Sequence, residues 1–176
     1  MNKKILGIGN AIVDVLAKVD DDFLIKKKLT KSSMKLINQQ EFEDLKKNIK
    51  ITKIVAGGSV ANTMAGIAYL QGYPSFIGKI NSDNFGEMYK KSLQDINVNF
   101  SYIEKNEEIP TGASIILITP DTERTMCTYL GISSNLCQND IIEEDITSQE
   151  LVFLEEIGRA TSELQSRLHL VCRLLL

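Results

Sequence analysis

Strand-like apolar segments alternate with helix-forming segments along this sequence, and this alternation constrains the fold most. The apolar segments are Ile5–Gly9, Lys53–Val55, Ser75–Ile80 and Leu151–Leu154. The first and fourth are continuous apolar runs, which are typical of strands covered on both faces. Lys53–Val55 is likewise expected to be a buried strand. Strands that alternate with helices at these lengths predict a parallel sheet with helices packed on it. The sequence therefore predicts an α/β fold.

The clearest helix follows the second of these segments. We expect Ser59 to cap its N-terminus, and Gly72, followed by Pro74, to end it. An apolar stripe at helical spacing marks its buried side. The stripe consists of Val60, Met64, Ile67 and Leu70. A further helix is predicted from Asp83, and its apolar face carries Phe85, Met88, Tyr89, Leu93 and Ile96.

Three stretches do not fit the alternation: 15–19, 34–37 and 113–130. The third is predicted to be a hairpin, because two strand-like runs flank a turn at Pro120–Glu123. We expect these stretches to form a small sheet of their own, outside the main layer.

Length and charge exclude several classes of protein. A chain of 176 residues predicts one ordinary domain. The net charge of −3, without a basic stripe, gives no reason to expect nucleic acid as a partner. The apolar runs fall far short of the roughly 20 residues that a membrane span needs. No signal peptide and no Cys-x-x-Cys pair is visible, so a cytoplasmic protein without a structural zinc site is predicted.

One glycine pattern invites a nucleotide-binding interpretation. Gly7 and Gly9 follow the first strand, but Ile12 stands where a dinucleotide-binding fingerprint needs its third glycine. A Rossmann-type oxidoreductase is therefore only the third functional hypothesis. A P-loop is excluded because no G-x-x-x-x-G-K-[ST] run occurs.

Two other places offer ligand contacts. Gly57 and Gly58 stand where a strand meets a helix, so the backbone there can approach a ligand closely and act as a hinge. Asn62 follows one turn into that helix, and the alternative is a tight turn with a surface asparagine. Asp14 lies between Val13 and Val15, where an unpaired carboxylate is costly. Its partners are either sugar hydroxyls or backbone N–H groups of the turn, and the residues alone leave both open.

Several linked motifs resemble one known family. Residues 56–72, AGGSVANTMAGIAYLQG, resemble the first signature of the ribokinase-like (PfkB) carbohydrate and nucleoside kinases. Residues 78–86, GKINSDNFG, resemble the segment that follows it, and Gly9–Asp14 is similar to the opening of adenosine kinases. Pro110–Gly112 and Tyr129–Gly131 also fit. The resemblance covers residues 4 to about 155 in order.

The resemblance implies a three-layer α/β/α domain with a small β-sheet lid, and phosphoryl transfer from ATP, with Mg²⁺, to a sugar or nucleoside hydroxyl. It implies that Asp14 binds ribose hydroxyls with Asn10 beside it. Gly57 and Gly58 would be the hinge and a sugar contact, and Asn62 a further sugar contact. Glu155 matches a position that often carries a substrate-facing glutamate. Members often pair two lids into a dimer, so a homodimer through the lid is an option that the residues do not decide.

The sequence also departs from the family's pattern. The second signature, a DTxGAGD-type run that supplies the catalytic aspartate and the anion hole, occurs nowhere in the 176 residues. The 176 residues are also expected to stop before the family's NxxE-type segment, which is associated with Mg²⁺ and phosphate, and before the nucleotide-binding half of the sheet. Phosphoryl transfer depends on positioning and charge stabilisation. We therefore expect residues 1–155 to be the substrate-binding and lid part of a kinase, with the C-terminal half missing and no catalytic residue present. The alternative is a non-catalytic sugar- or nucleoside-binding or interaction module.

Residues 156–176 are expected to be atypical of this fold. All 16 lysines precede residue 106, whereas three of the four arginines fall in the last 18 residues. A change of reading frame in AT-rich coding DNA would produce such a switch. The alternative is a native C-terminal helix, since residues 158–176 have an amphipathic pattern. Its apolar face would carry Leu164, Leu168, Val171, Cys172 and Leu175.

Overall fold

The structure is a computed structural model that describes residues 4–103 and 106–154. The described strands are β1 (Lys4–Ile8), β2 (Ile12–Lys18), β3 (Met34–Leu36), β4 (Ile51–Gly57), β5 (Tyr73–Ile77), β6 (Asn99–Phe100), β7 (Gly112–Ile118), β8 (Arg124–Tyr129) and β9 (Leu151–Leu154). The α-helices are α1 (Asp21–Lys26), α2 (Gln39–Lys47), α3 (Ser59–Tyr69), α4 (Asn84–Gln94) and α5 (Glu143–Thr147). Short 3-10 helices span Gly131–Asn135 and Gln138–Asp140.

The strands form two sheets. In the first, the order is β6-β5-β1-β9 and every neighbouring pair is parallel. In the second, the order is β3-β8-β7-β2-β4, with both parallel and antiparallel pairs. Helix α3 packs on β1 and β5 of the first sheet. The predicted α/β class is confirmed.

The two faces of the second sheet differ in burial. Val13, Val15 and Ala17 of β2 are fully buried and belong to the main apolar core. Helices α1, α2 and α4 contribute Leu24, Phe42, Leu45, Tyr89 and Leu93 to the same core. Since successive residues of a strand point to opposite faces, Asp14 and Leu16 lie on the other face, where they are only partly buried.

Strand β4 differs from its sequence-based prediction. The run around Lys53–Val55 was expected to be a buried strand of the main layer. Instead β4 is an edge strand of the second sheet, paired antiparallel with β2, and Lys53 and Ile54 are exposed. An edge strand has a neighbour on one side only, so an apolar run there is not buried throughout.

Both ends of α3 also differ from expectation. The N-cap is Gly58, at φ +91°, with no side-chain cap, so the prediction that Ser59 caps the helix is wrong. At the other end Gln71, at φ +62°, takes the left-handed position, and the N–H of Gly72 donates to the carbonyl of Ile67. This is a Schellman ending with glutamine in the place usually held by glycine.

Between the described strands, the chain passes from one sheet to the other at four connections: 9–11, 58–72 (which contains α3), 101–111 and 130–150. Residues of the segment 79–83 form hydrogen bonds and ion pairs with the third and the fourth of these connections. Asn81 donates to the carbonyls of Glu107 and Ile109, and Lys79 pairs with Glu107 and Asp140 at 3.1 Å each. Among the described residues, no helix is both long and apolar enough to cross a membrane.

Candidate functional site

Asp14 lies in β2, on the face of the second sheet that is turned away from the core. Its cross-strand neighbours are Val55 of β4 and Ser114 of β7. The next residue in that row is Thr128, whose hydroxyl lies 2.8 Å from the hydroxyl of Ser114. The carboxylate is therefore flanked by a pair of hydroxyl groups that are already bonded to each other.

The end of β4 meets the Asp14 carboxyl group. Gly57 is buried, and a Cβ at this position would overlap all three atoms of the carboxyl group. Gly58 follows at φ +91°, and a Cβ there would lie 2.6 Å from the backbone carbonyl oxygen of Asn10. Close approach explains the glycine at both positions, and the left-handed backbone is a second reason at Gly58. The structure thus brings Asn10, Asp14, Gly57 and Gly58 together.

Asn62 lies one helical turn beyond this point. Its backbone N–H donates to the carbonyl oxygen of Gly58 at 2.9 Å, and the residue is exposed. Because the N-terminus of α3 has no side-chain cap, its first-turn N–H groups are available to a bound ligand. Glu155 lies outside the described residues, directly after β9.

Burial raises the pKa of Asp14 to about 6, and the positive charge of Arg124 opposes that rise. Arg124 begins β8, and it lies on the same face as Asp14 because it pairs with Ile118 in the register of the hairpin. A carboxyl group with a pKa near 6 is charged at neutral pH but incompletely solvated. It therefore gains from hydrogen-bond donors that a ligand supplies.

The Asp14 face of the second sheet also carries an apolar row. In register with Leu16 lie Ile116 of β7, Met126 of β8 and Met34 of β3, and Leu36 lies in the row of Asp14. Met34, Leu36 and Met126 remain 50%, 52% and 38% exposed. Open apolar surface beside a partly buried carboxylate can accept a ligand with both a flat apolar part and hydroxyl groups.

Sequence reasoning missed several residues of this site: Arg124, Ser114, the methionines of the apolar row, and Tyr89, whose hydroxyl bonds to Gly57. The hairpin itself was predicted, but the register that places Arg124 and Ser114 with Asp14 depends on pairing across the sheet. Tyr89 was placed on the apolar face of its helix, and nothing in its local sequence identified a partner for its hydroxyl.

No group of three or more His, Cys, Asp or Glu residues suited to a metal ion occurs within residues 4–103 and 106–154.

Comparison with known proteins finds similarity to carbohydrate and nucleoside kinases. A family profile described as "pfkB family carbohydrate kinase" matches residues 26–167. The chain is 30% identical over 114 residues to adenosine kinase 2 of Arabidopsis thaliana, covering 61% of this chain and 32% of that protein. It is 31% identical over 102 residues to the probable chloroplastic fructokinase-6 of the same plant, covering 57% of this chain and 27% of that protein.

A solved structure is similar over nearly the whole chain. The adenosine kinase of Sinorhizobium meliloti superposes with a TM-score of 0.85 at 32% identity, and the match covers 94% of this chain and 52% of that one. The chain thus spans about half the length of this relative, and about a third or less of the two plant proteins. The resemblance to the ribokinase-like fold that the motifs predicted is confirmed.

Proposed function

The chain belongs to the pfkB family of carbohydrate kinases, and on that premise we propose that it forms the substrate-binding and lid part of an ATP-dependent sugar or nucleoside kinase. The contact between Asp14 and the Gly57–Gly58 turn carries the proposal. A partly buried carboxylate enclosed by glycine backbone, beside an uncapped helix N-terminus, offers acceptors and donors for neighbouring sugar hydroxyls. In this proposal Asp14, Asn10, Gly58 and Asn62 bind the sugar, and Glu155 completes the site.

A nucleoside fits the site better than a free sugar does. The apolar row formed by Leu16, Ile116, Met126 and Met34 continues the Asp14 face beyond the reach of a single sugar ring. A base packed against it would remove the exposed methionine surface from water, at about 25 cal/mol for each Å² buried. We therefore propose a purine nucleoside such as adenosine as the substrate.

ATP is the phosphoryl donor that membership of a kinase family implies, and we propose that Mg²⁺ accompanies it. The DTxGAGD-type run is absent from the sequence, and the described residues hold no metal cluster. The groups that bind ATP and transfer the phosphoryl group are therefore proposed to lie outside these 176 residues. We further propose a cytoplasmic protein, with pairing of two lids as the route to a homodimer.

Calorimetric titration of the 176-residue chain with adenosine, ribose and fructose tests the binding proposal. We expect adenosine to bind most tightly and the variant Asp14→Asn to bind it at least about tenfold more weakly, because a charged hydrogen bond is lost. The matched control is Asp22→Asn, which removes an exposed carboxylate in the first turn of α1. Equal adenosine affinity in the wild-type chain and Asp14→Asn would contradict the site.

A phosphorylation assay tests the division of roles. Incubation of the same chain with ATP, Mg²⁺ and adenosine is expected to yield no phosphorylated product above background. Turnover by the 176-residue chain would contradict the proposal that the catalytic groups lie elsewhere. If a longer gene product carrying the second signature binds adenosine without phosphorylating it, the non-catalytic binding module is favoured instead.

A further inference from the structure

The hydroxyl of Tyr89, in α4, contacts the end of β4, where the Gly57–Gly58 turn leads from the second sheet towards the first. The Tyr89 side chain is fully buried, and its hydroxyl donates a hydrogen bond to the carbonyl oxygen of Gly57 at 3.0 Å. The ring packs against Phe76 of β5 and Phe100 of β6, with centroid distances of 6.1 and 6.2 Å. The residue thus joins the parallel sheet to the last residue of β4 in the second sheet.

The contact fixes the orientation of one peptide group. In a planar trans peptide the C=O and N–H bonds point in opposite directions. While the Tyr89 hydroxyl is bonded to the Gly57 carbonyl, the N–H of Gly58 points in the opposite direction, away from Tyr89. Gly58 is also the residue that lies close to the carbonyl oxygen of Asn10. Glycine at both positions leaves this peptide free to rotate if nothing holds it. Burial raises the pKa of the Tyr89 phenol far above its usual value, so the hydroxyl remains a donor.

Helix α4 also holds the connection that enters β7. Its N-cap residue, Asp83, accepts from the N–H of Gly86 through Oδ1 and from the N–H of Thr111 through Oδ2, both at 2.8 Å. Helix α4 and its cap are therefore hydrogen-bonded both to the last residue of β4 and to the connection 101–111. The helix itself packs on β4 and β6, one strand from each sheet.

We propose that Tyr89 is a positioning residue for the lid hinge: its hydroxyl sets the orientation of the Gly57–Gly58 peptide and thereby restrains the second sheet against the first. Tyr89 itself does not touch the substrate. Its effect on ligand affinity rests on the proposed function, whereas its effect on the hinge does not.

The test compares Tyr89→Phe with the wild-type chain, because phenylalanine keeps the ring and removes only the hydroxyl. Hydrogen–deuterium exchange is measured on the full chain without ligand. We expect amides of residues 53–58 to exchange about fivefold faster in Tyr89→Phe, as loss of one hydrogen bond predicts. Amides of β1 and β5 are expected to keep their rates. Tyr69→Phe removes the hydroxyl of an exposed tyrosine in α3 and is expected to change neither region.

Two outcomes would overturn the proposal. Unchanged exchange at residues 53–58 would mean that the hydroxyl does not restrain the hinge. Uniform acceleration over the whole chain, including loss of folding, would mean that Tyr89 acts on global stability alone. Adenosine titration supplies an independent readout, with affinity expected to fall about fivefold in Tyr89→Phe. If even the wild-type chain fails to bind adenosine, the proposed function fails while the exchange measurement still decides the role of Tyr89.

Discussion

The carboxyl group of Asp14 lies directly against the α-carbon of Gly57, in the space that a Cβ at position 57 would occupy. The two residues come from adjacent antiparallel strands, β2 and β4. No residue with a side chain can stand at position 57 unless the carboxyl group moves. The proposed binding site and the proposed hinge therefore share this contact.

Gly57→Ala is expected to lower the free energy of unfolding by about 1–3 kcal/mol, because the added methyl group overpacks the site. Adenosine affinity should fall at least about tenfold as the Asp14 carboxyl group is displaced. Thermal unfolding and calorimetric titration measure the two effects. Gly66→Ala is the control: Gly66 is an exposed position inside α3, where a Cβ meets nothing within 4 Å. It should gain up to about 1 kcal/mol from helix propensity. Similar behaviour of the two variants would contradict the predicted overlap.

Asp14→Asn is expected to stabilise the fold at neutral pH while it weakens binding. The pKa of Asp14 is raised from 3.8 to about 6 in the folded chain, so the folded state binds the proton more tightly than the unfolded state does. This group therefore costs no stability below about pH 4, and its cost grows as pH rises toward 6 and then stays constant. The free energy of unfolding of the asparagine variant should exceed that of the wild-type chain by about 1–3 kcal/mol at pH 7. At pH 4, where Asp14 is largely protonated in the folded state, removal of the charge should change the free energy of unfolding very little. Urea unfolding at several pH values measures the difference, and a gain independent of pH would contradict the buried charge.

Asp83→Asn separates the two roles of this side chain. The asparagine oxygen can still cap α4 at Gly86, but its amide nitrogen cannot accept from the N–H of Thr111. We expect the free energy of unfolding to fall by about 1–2 kcal/mol and the amide of Thr111 to exchange faster, while exchange at the amide of Gly86 stays unchanged. Asp95→Asn, at the C-cap of the same helix, removes an equal charge and should leave Thr111 unchanged. Faster exchange at Gly86 in Asp83→Asn would contradict this prediction, because it would show that the helix cap, and not the bond to Thr111, had been lost.

Lys79→Met is expected to lower the free energy of unfolding by about 3–5 kcal/mol, because it removes the cation that pairs with the carboxylates of Glu107 and Asp140. The Lys79 side chain is 8% exposed and lies 3.1 Å from both Asp140, which is 3% exposed, and Glu107. Lys35→Met is the control, since its ion pair with Glu41 is exposed and should contribute less than about 1 kcal/mol. Chemical denaturation measures both variants. Equal losses would mean that burial does not distinguish the two ion pairs.

Local sequence patterns determined the class of fold and most of its elements. Apolar runs and helical spacing predicted the strands β1, β5 and β9 and the helices α3 and α4, because periodicity depends on neighbouring residues. The Gly57–Gly58 pair was predicted to let the backbone approach a ligand closely, and the structure shows these glycines in close approach to Asp14 and Asn10. The roles of Asn10, Asp14, Gly57, Gly58 and Asn62 in binding a substrate stay predictions. Glu155 and residues 156–176 lie outside the part of the chain that is described.

Tertiary structure alone decided which elements meet. Strand β4 belongs to the second sheet because it pairs with β2. The residues of β4 alone do not indicate that partner. The neighbours of Asp14 follow from strand register: Ser114, Thr128 and Leu36 come from three other strands. The bond from Tyr89 to Gly57 joins residues 32 positions apart, and that from Asp83 to Thr111 joins residues 28 apart. Such contacts form only when packing of the whole core fixes register and helix position, so no local pattern predicts them.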